Sequence, residues 1–221
     1  MNLQSSIYVP DSIQELSRLS TDYIYYYISF KMNTYINKGD WIVKNSSEVY
    51  DNAWITVRHS DVITPGGTNG IYGEVNFKNL AIGIIPIDQD GYTWRVGQFR
   101  FPLNTYSWEI PEGGGPLGID PLESAKRELQ EEVGYAAEEW NEFLQMDLSN
   151  SVTNERAIVF LAESLTFLGT SHEDTENLRL ERLHFSSLYN QVLNGVITDS
   201  ISVAAVLKLA VLRPEFLKIK K

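Results

Sequence analysis

From Gly39 onward, short apolar runs of strand length alternate with turn residues. The segments Trp54–Arg58, Ile71–Phe77, Leu80–Ile87 and Tyr92–Phe99 are rich in β-branched and aromatic side chains and predict strands. Asp88-Gln89-Asp90-Gly91 predicts a hairpin turn between the last two, and Pro65-Gly66-Gly67 with Asn69-Gly70 predicts a loop. Pro111-Glu112-Gly113-Gly114-Gly115-Pro116 reads as a backbone-rich loop. The period then changes. Leu122, Ala125, Leu129 and Val133 fall on one stripe at about 100° per residue, which predicts a helix over Pro121–Val133. Asp120 is placed to cap it, Pro121 suits its first position, and Glu123 stands at its third. Arg156–Ala162 and Leu178–Phe185 predict further strands. Ser186–Asn194 and Asp199–Leu212 predict helices, the first closed by Gly195 and the second followed by Pro214. Strands, a central helix, more strands and terminal helices make a mixed α/β layered domain.

Residues 1–38 have a different texture, dominated by Ser, Gln, Asn and Tyr. Asp11 or Ser12 is suited to cap a short helix through Leu19, with Glu15 as the reciprocal acid. Three readings stand open: a weakly ordered extension, a dimer or lid element, or translation beginning at Met32. No apolar stretch follows Met1, and the first basic residue is Arg18, so a secretory leader is not expected. Tyr23–Phe30 and Val203–Leu212 are too short to span a bilayer. The expectation is a soluble, cytoplasmic chain with no membrane partner. Its parts are an extension (1–38), an N-terminal strand region (39–77), a main domain (78–213) and a basic tail (214–221).

Composition narrows the chemistry. The 221 residues include no Cys, which excludes a disulfide scaffold and any thiolate ligand or nucleophile. Eighteen Lys and Arg stand against 29 Asp and Glu, a net charge of −11. Such a body does not attract nucleic acid through its phosphates, so a phosphate-bearing substrate would need a local cation. The acids are concentrated: Glu109 to Glu142 holds ten against Lys126 and Arg127, or −8 of the −11. On the predicted helix, Glu128, Glu131 and Glu132 share a face at i, i+3 and i+4. A solvated face is the ordinary explanation for a charge cluster. Three carboxylates so placed repel one another, however, and a bound divalent cation explains their concentration better. An all-oxygen set suits Mg²⁺ or Mn²⁺. The glycines at 113–115 let backbone approach a ligand closely.

The run Gly113…Arg127-Glu128-Leu129-Gln130-Glu131-Glu132-Val133-Gly134-Tyr135 resembles the signature of Nudix hydrolases. Eight of nine specified positions of that signature match; the ninth, a glutamate in the family, is Ile119. Similarity to the ADP-ribose and nucleotide-sugar pyrophosphatase branch extends over about residues 40–213. It includes Ile71-Tyr72-Gly73, Gln98-Phe99-Arg100, Trp108-Glu109-Ile110-Pro111, Ser149–Arg156 and Gly195…Asp199. The resemblance implies a Nudix-like α/β/α sandwich with a central mixed sheet, preceded by a small N-terminal strand region. It also implies a homodimer, with residues 39–77 as the candidate dimerisation element.

The chemistry implied is attack of water on a diphosphate, releasing a nucleoside monophosphate and a sugar phosphate. By resemblance, Glu128 and Glu132 are the primary metal ligands, Glu131 shares or bridges, and the carbonyl of Glu112 is a backbone ligand. Arg127 would orient the carboxylates; the plain alternative is an ordinary i,i+4 pair with Glu131. The general base is expected at Glu176, with Glu173 as second choice. His59, His172 and His184 are assigned no catalysis. Arg100 is expected at the diphosphate or terminal sugar, Glu109 at the sugar, and Arg58 beside the substrate. Trp108 is expected either to stack on a base or to sit in the core. Glu155 is either a supporting acid or a surface one. Loss of the acid at 119 leaves Arg127 less constrained, which suggests an alternative: a catalytically weak domain that senses a nucleotide sugar. Ser149-Asn150-Ser151-Val152, where ADP-ribose hydrolases often carry Ser-Pro-Gly, leaves other nucleotide sugars open.

Overall fold

The computed structural model describes residues 20–21, 35–169 and 178–218. The expected helix through Leu19, the Tyr23–Phe30 run, His172 and both candidate bases, Glu173 and Glu176, lie outside the described residues.

The described chain forms two compact units. One holds residues 35–49 and 58–74; the other holds 50–57, 75–169 and 178–218. Strands β1 (Ile36–Lys38), β2 (Trp41–Asp51), β3 (Ile55–Ile63) and β4 (Asn69–Phe77) lie in the order β1-β2-β3-β4, with β1 antiparallel to β2. Within the first unit, Trp41 meets Tyr72 edge to face at 5.2 Å, and Lys38 pairs with Glu74 at 2.7 Å.

The second unit is built on two sheets. The mixed sheet runs β8-β5-β10-β9, from β5 (Asn79–Pro86), β8 (Glu112–Pro116), β9 (Tyr135–Asp147) and β10 (Arg156–Phe167). Only β10 and β5 are parallel in it, in the register Ala157 with Ala81 through Ala162 with Pro86. The smaller sheet runs β11-β6-β7, from β6 (Tyr92–Arg100), β7 (Thr105–Glu109) and β11 (Arg179–His184). Helices α1 (Pro121–Glu128), α2 (Phe185–Leu193) and α3 (Ser200–Leu212) complete it.

Side-chain alternation makes the mixed sheet the middle layer. Ile82, Ile84, Ile158, Phe160 and Ala162 point to one face, where Ala125, Leu129 and Val133 of the α1 segment cover them. Ile85, Ala157, Val159 and Leu161 point to the other, beneath Leu188 and Val192 of α2 and Ile201, Ala205, Val206 and Leu209 of α3. Each fully buried aliphatic side chain of this kind stabilises the layer by about 1.5–3 kcal/mol. Gly83 sets how closely α3 approaches: a Cβ there would lie 3.1 Å from both Ile110 and Ile201. This α/β/α sandwich is the expected fold class. Among the described residues, no helix is long and apolar enough to cross a membrane.

Three expectations change in detail. The Asp88–Gly91 turn forms: Asp88 Oδ1 accepts the amides of Asp90 and Tyr92, both at 2.9 Å, and Gly91 takes φ 82°. It does not join paired strands, because β5 enters the mixed sheet and β6 the smaller one. The 111–116 segment is an edge strand, β8, rather than a loop. The helix over 121–133 is α-helical to Glu128 and then widens into a π turn over Leu129–Val133. It closes with Gly134 donating to the carbonyl of Leu129, five residues back.

Candidate active site

Edge strand β8 and the end of α1 form one structure. The residues of β8 pair with β5 in the register Ile82 with Gly113 and Gly83 with Glu112. The amide of Glu112 is turned off the sheet edge, where it donates to Glu132 Oε2 at 3.0 Å. In a strand, the N–H and C=O of one residue point to the same side. The carbonyl of Glu112 is therefore presented toward the same carboxylate. Gly113 faces α1: a Cβ built on it would collide with the Glu128 carboxyl group. Only glycine leaves that carboxylate its place. Glu128 and Glu132 are both buried, at 8% and 5% exposure. Burying two carboxylates one helical turn apart is unfavourable without compensating positive charge, and oxygen ligands suit a hard divalent ion.

Arg127 supplies part of the compensation. It donates to Glu131 Oε2 at 2.7 Å, to Glu128 Oε1 at 2.7 Å and to the carbonyl of Gly114 at 3.0 Å. Burial works against its charge, but Glu128 and Glu131 outweigh burial and raise its pKa. Ile119 is 54% exposed. The arginine is thus tied at three points with no acid at 119. The start of α1 is as read from the sequence, with Asp120 Oδ1 accepting from Leu122 N–H at 3.0 Å.

On the other side of β8 lies a cleft of about 610 Å³. Trp54, Gln98, Arg100, Leu103, Glu109, Glu112, Glu155 and Asp199 are among its lining residues. Arg100 is held by two acids: its Nε lies 2.9 Å from Glu109 Oε1, and its Nη2 contacts Glu109 Oε2 and, at 2.7 Å, Glu112 Oε1. Burial disfavours the Arg100 charge, yet the hydrogen bond and charge of Glu109, helped by Glu112 and Asp199, raise its pKa. Burial likewise opposes ionisation of Glu109, and Arg100 overcomes it, so that carboxyl sits below its usual range. Glu112 moves the other way. Burial, Asp199 and Glu109 push its pKa well up, against the pull of Arg100. Burial alone raises Glu155.

The structure therefore brings Glu112, Arg127, Glu128, Glu131 and Glu132 together, and places Arg100 and Glu109 in the adjoining cleft. Trp108 does not share it. Strand β7 turns Ser107 and Glu109 to the cleft and Trp108 to the opposite face, where Arg95 stacks on it at 3.9 Å and Tyr106 meets it edge to face. Arg58 belongs to the first unit and lies 3.9 Å from Glu48. His184 caps α2, its Nδ1 accepting from Ser186 N–H at 3.2 Å. Two lining residues were given no role in the sequence reading. Trp54 is 66% exposed at the cleft. Asp199 caps α3, accepting from Ser202 N–H at 2.7 Å, and also faces Glu109 and Glu112. Asp199 was visible in the sequence as a cap and within the Gly195…Asp199 resemblance; its meeting with Glu109, 90 positions earlier, needs the folded sheet.

Comparison with known proteins agrees with this geometry. Residues 41–75 match the family model of the nucleoside diphosphate sugar hydrolase N-terminal domain, and residues 78–192 match the NUDIX domain. An ADP-ribose pyrophosphatase of Mycobacterium tuberculosis is 29% identical over 172 residues, covering 76% of this chain and 82% of that protein. An ADP-sugar pyrophosphatase of Mus musculus is 28% identical over 136 residues, covering 55% of this chain and 62% of that protein. A crystal structure described as an ADP compounds hydrolase superposes with a TM-score of 0.72 at 18% identity, over 81% of this chain and 97% of that one, which is a likeness of fold. With more than half its length matched by the domain model and the acidic helix seated against a glycine edge strand, the chain belongs to the Nudix hydrolase family.

Proposed function

We propose that this Nudix enzyme hydrolyses the diphosphate of ADP-ribose or a related nucleoside diphosphate sugar, releasing a nucleoside monophosphate and a sugar phosphate. The observation that carries the reading is the seat of Glu128 and Glu132. Both are buried, one against Gly113 and the other on the Glu112 amide. Glu128, Glu131, Glu132 and the Glu112 carbonyl would hold Mg²⁺ or Mn²⁺. When bound, such an ion neutralises charge developing on the diphosphate oxygens and lowers the pKa of a water.

The chain's own groups do the rest. Arg127 holds Glu128 and Glu131 in register with the strand. Arg100, already oriented by Glu109 and Glu112, offers its guanidinium edge to a phosphate or sugar hydroxyl of a substrate in the cleft. Trp54, exposed at the cleft, gives a flat base a face to stack on, a role that Trp108 cannot take from its own side of β7. Proton acceptance from the attacking water falls to Glu176 or Glu173, as the resemblance implies. The three anchors of Arg127 favour a working enzyme over a sensor that only binds. We further propose that the strand region of residues 39–77 is a dimerisation element, in line with exposed Val49 and Ile71; a monomer by light scattering would end that reading.

The test is direct. Purified protein with Mg²⁺ is given ADP-ribose, ADP-glucose, UDP-glucose and GDP-mannose, and monophosphate release is followed by chromatography. Turnover should be highest with an ADP-linked sugar. Saturable binding without turnover on all four would replace the hydrolase with the sensor.

A further inference from the structure

We propose that Asn52 and Lys78 are positioning residues that hold Trp54 ready to stack on the base of the substrate. The proposal deepens the function given above and rests on the reading that Trp54 is the stacking face. Trp54 stands in the short loop, 52–54, between β2 and β3. Its side chain is exposed, so packing does little to fix it. Its main chain is fixed instead. Asn52 Oδ1 accepts the amides of Trp54 and Ile55, both at 2.8 Å, which makes the loop an Asx turn. The carbonyl of Trp54 accepts from the amide of Lys78 at 2.9 Å. Both main-chain polar groups of the stacking residue are thus bonded.

Lys78 reaches the same loop with its side chain. Its Nζ donates to Asp51 Oδ1 at 2.6 Å and to the carbonyl of Asn52. Asp51 Oδ1 also accepts from Thr56 Oγ1 at 2.6 Å, which closes the base of the loop. All of these residues belong to the second unit. Lys78 is itself set by its neighbours. Phe77 donates its amide to Asn154 Oδ1 at 2.6 Å, and Asn79 opens β5, where it pairs with Pro116 of β8. The loop that carries Trp54 therefore hangs on the sheet whose edge strand presents Glu112. Trp54, Phe77 and Asn79 line the cleft, whereas Asp51, Asn52 and Lys78 are not among its lining residues. They act through Trp54 rather than by touching a ligand. What the network supplies is preorganisation: a ring already in place loses less freedom when a base arrives than a ring on a loose loop.

The experiment measures binding, so that no turnover is needed. Full-length protein in EDTA is titrated with ADP-ribose by isothermal titration calorimetry, and circular dichroism melts establish that each variant is folded. Asn52→Ala and Lys78→Met should each weaken binding about 2- to 12-fold, the cost of ordering one loose side chain. Asn52→Asp keeps an oxygen to accept both amides and should stay within about twofold of wild type. In a Trp54→Ala background, Asn52→Ala should cause no further loss, because the residue it positions is gone. Wild-type affinity in both Asn52→Ala and Lys78→Met, with Trp54→Ala weakened, would overturn the proposal and leave the stacking role intact. So would an equal loss from Asn52→Ala with and without Trp54. Wild-type affinity in Trp54→Ala itself would end the stacking reading, and the positioning role with it.

Discussion

The amide of Glu112 and the carboxylate of Glu132 are joined across 20 residues by a 3.0 Å hydrogen bond that ties the edge strand to the π turn. Glu132 is thereby both a proposed metal ligand and a structural anchor. Glu132→Gln separates the two roles, because the amide oxygen still accepts from Glu112 while the charge is gone. We expect a melting temperature within about 2 °C of wild type and activity at least about 100-fold lower. Circular dichroism melts beside a monophosphate-release assay check both halves.

Restoring the family's acid at 119 should change little. Arg127 already has Glu131, Glu128 and the Gly114 carbonyl as acceptors. Ile119→Glu should leave kcat within about twofold, since an added exposed ion pair contributes only about 0–1 kcal/mol. A rise of tenfold or more would show that the arginine is under-braced after all.

Trp54 is an exposed aromatic surface at the cleft. Base stacking on such a ring is worth about 1–3 kcal/mol. Trp54→Ala should therefore raise KM for the preferred nucleotide sugar about 5- to 100-fold with a smaller effect on kcat. Trp108→Phe, on the other face of β7, should leave KM unchanged. Steady-state kinetics with the two variants distinguish them.

Arg100 and Glu109 should be strongly coupled. Glu109 is 3% exposed and Arg100 34%. Arg100→Met strands a buried carboxylate. Breaking a buried pair usually costs about 3–5 kcal/mol, and roughly 2 kcal/mol is expected here because the arginine is partly solvated. That corresponds to a drop of about 4–8 °C in Tm. Adding Glu109→Gln should recover most of it, and a double-mutant cycle by thermal melting measures the coupling.

Acid should loosen the link between the sheets at Asp88. Burial opposes its ionisation, but the hydrogen bond from Arg182 and the amides of Tyr92 and Asp90 prevail, and its pKa lies below the ordinary 3.8. A carboxyl depressed by folding stabilises the native state above its unfolded pKa, and the contribution is lost as pH falls through the native value. Tm should decline below about pH 4, and Asp88→Asn should flatten that part of the curve. An equal slope in the variant would assign the acid sensitivity elsewhere.

The parts of this fold that were legible in the sequence are those where side chains carry the pattern. The stripe Ala125, Leu129, Val133 and the cap Asp120 gave away the central helix. Strand β8 did not show because Gly113-Gly114-Gly115 has no side chains to alternate. Strand β9 did not show because Tyr135–Asp147 is an edge strand with polar residues on both faces, so neither apolar alternation nor a continuous apolar run marks it. The π turn left no trace either: it changes which carbonyl each amide reaches, not which residues are apolar. The acidic helix face was visible from local spacing. The Glu109–Glu112–Asp199 meeting was not, since it depends on α3 packing across the sheet.

The order of strands in the mixed sheet has a consequence for synthesis. Ala157 lies beside Ala81, 157 − 81 = 76 positions apart, in the one parallel pairing of that sheet. Non-local pairings of this kind form late. As the chain leaves the ribosome, β5, β8 and the acidic helix are therefore complete before the strand that must slot between β5 and β9. Until β10 arrives, Ile82, Ile84 and the apolar stripe of the acidic helix lack Ile158 and Phe160, which complete their core. A nascent chain halted short of Arg156 would carry the whole acidic helix beside an unfinished sheet. Closure of the core over the acidic helix is thus tied to release of the C-terminal third of the polypeptide.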